Sequence, residues 1–382
     1  MGEYVTNHVA MQGNGSYNSN SALQRAAMME ALPLFNGMIT PGATSSIVLT
    51  VVEDYPVGQN LTVVEYGVSQ GANSVVPLKH ILEQATKSQT PNTRLAVTLA
   101  LCDRPSNDFT ALAQTIDSIK WPESVLRKAE IFPFMSPRSF FEPILPNNSA
   151  DVGFSLAALH HLDRVSARSP QSGNDTTRNM HDENRREVFA AQARHDLQKF
   201  LQLRAGEFKP GASLVLAFVG ASTSGVANYL PLVESCKIAM AGMIQDGTIP
   251  ARVLECFEVL VHDRSISEVE EVLKAESERW AVESFFEKMI QHPAVTALHA
   301  ADDGRTEKSL SSEEYAQVVV DWEMAVIGGY FTSAVGKAMG VGAWQQERLL
   351  AEWTRRTVDE FLRSYRDAVV ECCFILVKVR RK

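Results

Sequence analysis

Leu61-Thr62-Val63-Val64-Glu65-Tyr66-Gly67-Val68-Ser69-Gln70-Gly71-Ala72-Asn73 is the stretch that decides the fold. The apolar run from Leu61 to Tyr66, stopped by a glycine, predicts a short buried strand. Ala72 to Gln84 predicts a helix with one proline near its first turns, where a missing N–H costs little. Leu95 to Leu101 predicts a second strand ending at Cys102-Asp103. Strand, turn, helix, strand is the opening of an open α/β sheet. Gly67 lets the chain turn tightly and Gly71 lets backbone approach a ligand. Their GxxxG spacing is not the dinucleotide GxGxxG, and no GxxxxGK[ST] loop is present, so pyrophosphate binding is disfavoured. Glu65, at the strand end, suits a ligand carrying a cation and a ribose. Alone, the turn fits a structural turn in any α/β protein equally well. Asp103, at the end of the next strand, strengthens the ligand reading because one carboxylate can accept hydrogen bonds from both ribose hydroxyls. Asn107 and Asp108 follow closely, and there a plain helix cap stays open.

Outward from this centre, Ser21 to Leu32 predicts a helix ended by Pro33. Residues 46–53 are apolar and β-branched and fit a strand or a buried helical turn. Asp151 to Leu156, Leu214 to Val219 and Val369 to Val379 predict further strands. Ala167 to Asn184, rich in Ser, Gly, Asn, Asp and Thr, reads as a loop. Arg185 to Glu207 predicts a long helix with Phe189, Ala193, Leu197, Phe200 and Leu201 as its apolar stripe, ended by Pro210-Gly211. Between Asn228 and Ala351 helices are expected, interrupted by one strand near 253–261. The expected division is therefore 1–227 plus 352–382 as an α/β core, with 228–351 as a mainly helical cap. No internal repeat is visible.

The composition bounds the function. The chain has 382 residues, 45% hydrophobic and 21% charged, with a net charge of -9. Its one basic cluster is Arg380-Arg381-Lys382, so no nucleic-acid partner is expected. No run of ~18 apolar residues predicts a membrane span, and the start shows no basic segment followed by an apolar one. Cys102, Cys236, Cys256, Cys372 and Cys373 are odd in number and contain no CxxC pair, which fits reduced thiols and a cytoplasmic location.

Taken together, the segments resemble the plant-type salicylate, benzoate and theobromine methyltransferases, the SABATH family, over nearly the whole chain. Ser16-Tyr17-Asn18-Ser19-Asn20-Ser21-Ala22-Leu23-Gln24 looks like that family's SYxxNSxxQ segment. Glu65 to Asn73 is similar to its glycine turn, with Glu65 where Asp is usual. Asp103-Arg104-Pro105-Ser106-Asn107-Asp108-Phe109 resembles DLPxNDF. Ser136-Pro137-Arg138-Ser139-Phe140-Phe141 and the helix carrying Asp196, Phe200, Leu201, Arg204 and Glu207 follow in the family's order. The resemblance implies a Rossmann-like sheet with a helical cap insertion, an N-terminal segment that gates the substrate, and S-adenosylmethionine as cofactor. It implies that Ser16 and Asn73 hold the cofactor's methionine end, with Glu65 and Gly67 beside it. It further implies Tyr17 near the transferred methyl, Asp103 on the ribose, and Ser139 and Phe140 at the adenosine. Gln24 would orient the acceptor, a small molecule. Members of the family often form dimers, so a homodimer belongs to this picture. Arg204 reads as a structural ion-pair residue.

Two segments depart from the pattern. Where the family carries Ser-Leu-His-Trp-Leu-Ser, this chain has Ala158-Leu159-His160-His161-Leu162-Asp163. His161 thus replaces an indole that contacts the acceptor. A histidine can donate a hydrogen bond or carry charge near its pKa, so His160 and His161 join Gln24 as candidate catalytic residues. Glu255-Cys256-Phe257-Glu258-Val259-Leu260 keeps the phenylalanine of the family's DSFNxP segment but not its asparagine or proline, which argues against a cation there. No metal is expected. Trp322, Met324, Phe331, Met243 and Ile244 are candidate pocket walls, and Trp344 and Trp353 candidate packing residues. A carboxylate acceptor needs no base, whereas a phenol or an N–H acceptor needs one. Carboxyl O-methylation is the favoured expectation, with N-methylation or phenol O-methylation of a small heterocycle or amine as the alternative.

Overall fold

Apolar side chains at alternate positions of the strands give the sheet two buried faces, and seven main strands form around the opening β-turn-α unit. They are β1 Asn60–Tyr66, β2 Leu95–Asp103, β3 Ala129–Pro137, β4 Ala150–Leu156, β5 Phe208–Ala221, β6 Trp280–Gln291 and β7 Glu371–Arg381. This computed structural model describes residues 4–6, 16–38, 60–87, 94–166, 175–299 and 309–382. The strand order is β3-β2-β1-β4-β5-β7-β6, and a two-residue strand, Arg264–Ser265, pairs with the end of β5. The pairs from β3 to β5 are parallel, and β7 lies antiparallel between β5 and β6. The chain leaves β1 toward β2 and β3 and then crosses back to β4. That reversal puts a crevice at the carboxyl ends of β1 and β4, where open α/β sheets bind ligands.

The sheet's alternation divides the core. Val63, Phe154, Val215, Phe374 and Leu376 face one side; Val64, Tyr66, Leu216, Ile375 and Val377 face the other. On the first side pack α2 Ala22–Ala31 (preceded by α1 Ser16–Asn20), α3 Val75–Lys87, α4 Phe109–Asp117 and three later helices. On the second pack α5 Asp175–Glu207, through Leu197, Phe200 and Leu201, and α7 Ile266–Ala275. The three later helices are α6 Leu230–Gln245, α8 Ser312–Met339 and α9 Ala343–Ser364, which pack on one another. Reciprocal capping boxes, Ser265 with Glu268 and Ser311 with Glu314, start α7 and α8. Among the described residues α8 is the one helix long and apolar enough to cross a membrane, but most of its apolar window is buried in this core.

Several expectations need correction. The backbone is already helical from Asp175, so the loop expected up to Asn184 ends ten residues early. Pro210-Gly211 does not end an element. It sits inside β5, where the register with β4 shifts and Gly211 takes φ +81° in a bulge that accommodates the missing proline N–H. The strand expected near 253–261 is a short helix, Arg252–Cys256, followed by extended chain with one bridge, His161 to Val261. Its apolar residues pack under helices instead of alternating across a sheet. Conversely, β3 and β6 carry no clear signal in the sequence because they are the sheet's two edges: Phe132 and Phe134 stay exposed, and in β6 only Trp280 and Ile290 are buried while charged residues interrupt the apolar ones. β6 also places a core strand inside the segment expected to be cap. Residues 46–53 lie outside the described residues.

Candidate cofactor and acceptor site

The glycine turn is built by backbone hydrogen bonds. Gly67 and Val68 amides both donate to the Cys102 carbonyl, at 2.9 and 3.1 Å, which ties the turn after β1 to the end of β2. Gly67 has φ +87°, and a Cβ there would sit 2.5 Å from the Ala158 Cβ. Gly71 has φ +84°, and a Cβ would sit 2.6 Å from Leu112 Cδ1. Both glycines are thus required by packing and backbone geometry, independently of any ligand.

Two carboxylates converge beside this turn. Asp103 accepts from the Ser69 amide through Oδ2 and from the Arg104 amide through Oδ1, each at 2.7 Å. Each oxygen keeps a second lone pair for another donor. Burial raises the Asp103 pKa, and the two amides counteract it. Glu65 is buried at the end of β1. Its Oε1 accepts from Ser74 Oγ at 2.8 Å, while Oε2 has no partner among the described residues. Burial pushes its pKa up to about 8; the Ser74 hydroxyl opposes that and Asp103 adds to it. A buried acceptor without a donor is costly, and a cation at this point would remove the cost. Ser69, in the left-handed region at φ 50°, has a buried hydroxyl equally without a partner.

The N-terminal helix is pinned over the turn. Asn18 donates through Nδ2 to the Gln70 carbonyl at 3.3 Å and to Thr115 Oγ1 at 3.2 Å, and its Oδ1 accepts from the Ala72 amide at 3.2 Å. Asn73 donates to Ser21 Oγ at 2.9 Å. Asn73 therefore bridges the turn to the N-terminal segment, and Asn18, given no role in the sequence reading, is the main clasp. Ser16 and Tyr17 lie in α1; their side chains fall outside the described ones. Asn107 donates to the Ser69 carbonyl at 2.7 Å, and Asp108 caps α4 by accepting from Ala111 at 2.9 Å, which settles the cap reading.

Phe140 is buried beside Gly67, 4.6 Å centroid to centroid from Phe141 and edge-on to Phe200. Ser139 sits half-buried at the head of this turn and accepts from the Phe141 amide at 3.3 Å. Fully buried Arg204 holds the turn from behind: it donates to the carbonyls of Phe140 and Glu142 at 2.8 and 2.9 Å and pairs with Glu207 at 2.8 Å. Its guanidinium also lies over the Tyr66 ring at 4.4 Å. Arg204 is thus a structural ion-pair residue.

Gln24, His160 and His161 meet in one small pocket with Trp322, Tyr229 and Glu323. The Trp322 indole N–H donates to Gln24 Oε1 at 2.7 Å. Since an indole can only donate, this bond fixes the amide with its NH2 as the remaining donor. The His160 and His161 rings lie 4.3 Å apart. Burial, and then the Arg264 charge, lowers the His160 pKa to about 3; burial and the neighbouring His160 and Arg104 push His161 well below its usual value. Neither ring carries charge at neutral pH, so the charged-histidine option is overturned by desolvation. Each remains a neutral donor or acceptor. The His160 carbonyl accepts from the His262 amide at 3.0 Å and Leu162 donates to Leu260 at 2.9 Å, so the two-histidine turn is fastened to the altered 255–260 segment.

The remaining candidates divide. Glu258 pairs with Arg185 at 2.6 Å, and no group of three potential metal ligands occurs among the described residues. Of the expected walls Trp322 lines the pocket, whereas Phe331 stacks on Trp353 at 4.5 Å and Met243 and Met324 are buried in the core. Trp353 packs helices as expected; Trp344 does not, being 72% exposed beneath the Arg348 guanidinium. Tyr229 and Glu323 escaped the sequence reading. Tyr229 takes φ 38° at the start of α6 and meets Trp322 edge-on at 5.5 Å. Glu323 is buried, without a hydrogen-bond or ion-pair partner among the described residues, and burial alone lifts its pKa to about 7. No sequence signal marks a lone glutamate on an apolar helix as a pocket residue, except that such a residue is seldom buried without a function.

Beside the small pocket lies an apolar cavity of about 860 Å³ between the 221–230 segment, α6 and Trp353. The two share Tyr229, Val259, Val261, Glu323 and Ile327.

With this geometry in hand, the comparisons fall in line. Residues 6–357 match the family described as SAM dependent carboxyl methyltransferase. The chain is 40% identical to the methyltransferase LUC1 of a Fusarium species over 387 residues, covering 98% of each chain. It is 40% identical to the O-methyltransferase acrG of Aspergillus aculeatus, again over 98% of each. Among solved structures it is similar to a loganic acid methyltransferase with SAH, with a TM-score of 0.68 at 16% identity and 98% of each chain covered.

Proposed function

From the premise that this chain belongs to the family of SAM-dependent carboxyl methyltransferases, we propose that it methylates the carboxylate of a small organic acid or specialised metabolite held against Gln24. The observation that carries this reading is the Trp322–Gln24 bond, which fixes an amide donor in the pocket beside His160 and His161.

S-adenosylmethionine supplies an electrophilic methyl group on a sulfonium. The described residues fit it: Glu65 offers a buried, unsatisfied oxygen and Asp103 two spare lone pairs at the strand ends. In this reading Asp103 holds the ribose, and Glu65, with Asn73, Ser16 and Tyr17, serves the cationic methionine end around Gly67. Ser139 and Phe140 wall the adenosine. Gln24 orients the acceptor carboxylate, and His160 and His161 complete its polar surroundings. A carboxylate is already nucleophilic, so no proton has to leave and neutral histidines suffice. Trp322 and Tyr229 keep water from the acceptor, and positioning supplies most of the rate gain.

The second reading, methylation of an amine, ring N–H or phenol, draws on Glu323, a carboxylate that could take the leaving proton. A labelled-methyl assay against acids, phenols and amines, with the product identified, separates the two. Methyl ester from an acid is expected; an N-methyl product with no ester overturns the carboxylate reading. We further infer a homodimer, a cap function for residues 228–351 outside β6, and a cytoplasmic location without nucleic-acid or membrane partners. The five free cysteines and the net charge of -9 support the location. Sedimentation and a fluorescent fusion test these points.

A further inference from the structure

The polar pocket around Gln24 is small, yet the cavity beside it is large and lined mainly by apolar groups. Its volume of about 860 Å³ lies toward the top of the roughly 300–1,000 Å³ that drug-sized ligands fill. A one-ring acid seated at Gln24 would leave most of it to water. Water in such a space finds partners at Asn228, Lys237, Asp263 and Glu323 but few elsewhere, because Val226, Leu230, Val233, Met240, Leu254 and Phe257 line the rest. Val226, Leu230 and Leu254 are also among the large apolar side chains that stay exposed. Pocket and cavity adjoin along one seam, since Tyr229, Val259, Val261, Glu323 and Ile327 line both. Backbone strain gathers at the seam too, because Tyr229 is held left-handed by its amide's 2.8 Å bond to the Glu371 carbonyl.

We propose that the acceptor is an elongated, mostly hydrocarbon acid: its carboxylate sits at Gln24, and its body crosses the seam beside Glu323 and fills the apolar cavity. This rests on the carboxylate reading above and adds the substrate's size and polarity. The carboxylate oxygen forms the new bond to the methyl carbon, the sulfur keeps the electron pair of the bond that breaks, and no proton or oxidant enters the balance.

The test uses the full chain with labelled S-adenosylmethionine and the series benzoate, hexanoate, octanoate and dodecanoate. Each methylene added in the cavity is expected to raise kcat/KM about two- to fourfold, the factor that burial of one methylene allows. Dodecanoate should also bind the protein–SAH complex in calorimetry more tightly than hexanoate. Ala241→Trp, which puts a ring into the cavity from an exposed helix position, is expected to cut the dodecanoate-to-hexanoate ratio about tenfold while SAH binding is retained. A flat or falling series with benzoate methylated overturns the proposal and leaves the carboxylate reading standing. Methylation of amines but of no acid overturns both. A substitution that changes the oligomer's mass and leaves the chain-length ratio untouched assigns the cavity to a second copy of this chain, and also overturns it.

Discussion

At the scale of single residues, buried carboxylates and imidazoles set the chemistry by what burial does to their protons. Asp103 is the cleanest case, since its two oxygens already organise the Ser69 and Arg104 amides. Asp103→Asn keeps the shape but loses the charge and one acceptor. It is expected to weaken S-adenosylmethionine about 30- to 100-fold, as loss of charge-assisted bonds of ~1.5–3 kcal/mol each implies; calorimetric titration checks this, and an unchanged Kd removes Asp103 from the ribose. Glu323 makes the acceptor side pH-sensitive. The groups around it are Tyr229 and Cys236 at α6, Cys372 on β7, and His160 and His161 of the same pocket, with Asp263 and Lys237 on the adjoining cavity. The one cation among them, Lys237, is paired with Glu234. Below its raised pKa of about 7 Glu323 is neutral and tolerates an acid beside it; above, two like charges meet. KM for an acid acceptor should therefore rise as pH passes 7, and Glu323→Gln should flatten that rise with kcat little changed. The histidines work in the opposite sense. Their folded pKa values are depressed, His160 to about 3, so the stability they contribute is present above pH 6.5 and lost progressively as pH falls below it. Denaturant titrations between pH 7 and 5 should show falling stability, less steeply in His160→Asn.

At the scale of elements, the turn between β1 and α3 is where one methyl group matters most. Gly67→Ala would place its Cβ 2.5 Å from the Ala158 Cβ at φ +87°. Backbone strain and overpacking together predict a loss of about 2–4 kcal/mol, read as a lowered denaturation midpoint, with cofactor affinity falling as the ends of β1 and β4 move apart. The clasp of α1 belongs to the same scale. Asn18→Ala removes three of its hydrogen bonds to the turn and to α4, and faster proteolysis of the N-terminal segment, slowed by SAH, is the expected result. The elements also explain what was legible. β1, β2, β4, β5 and β7 announce themselves because strands inside the sheet, the antiparallel β7 included, are covered and apolar on both faces. β3 and β6 do not, because an edge strand shows water one face and carries prolines or charge. The Glu65–Asp103 pair was readable because strand ends fix where such side chains go. The acceptor pocket was only half readable: Gln24 and the two histidines lie in recognisable segments, but Tyr229 and Glu323 come together from α6 and α8, 94 positions apart in sequence, by packing that no local pattern records.

At the scale of the whole molecule, the proposed cofactor and acceptor sites share the switch point of the sheet, which links ligand binding to global stability. SAH at about 100 times its Kd should stabilise the fold by ~2.7 kcal/mol, seen as a raised Tm that Asp103→Asn largely abolishes. The placement of β7 has a different consequence, for the birth of the protein. β7 fills the slot between β5 and β6, and β6 pairs with no other main strand. A ribosome finishing β6 at Gln291 must add 80 residues (371 − 291) before Glu371 of β7 appears, which takes about 4–16 s at roughly 5–20 residues per second. Through that interval the nascent chain holds β5 open along one side and β6 without a strand partner. Glu283, Glu287 and Lys288 give β6 charges of the kind that discourage strand-to-strand sticking. Ribosome-bound chains stalled before Glu371 should stay sensitive to protease and recruit chaperones, and those stalled in a linker fused after Lys382 should not.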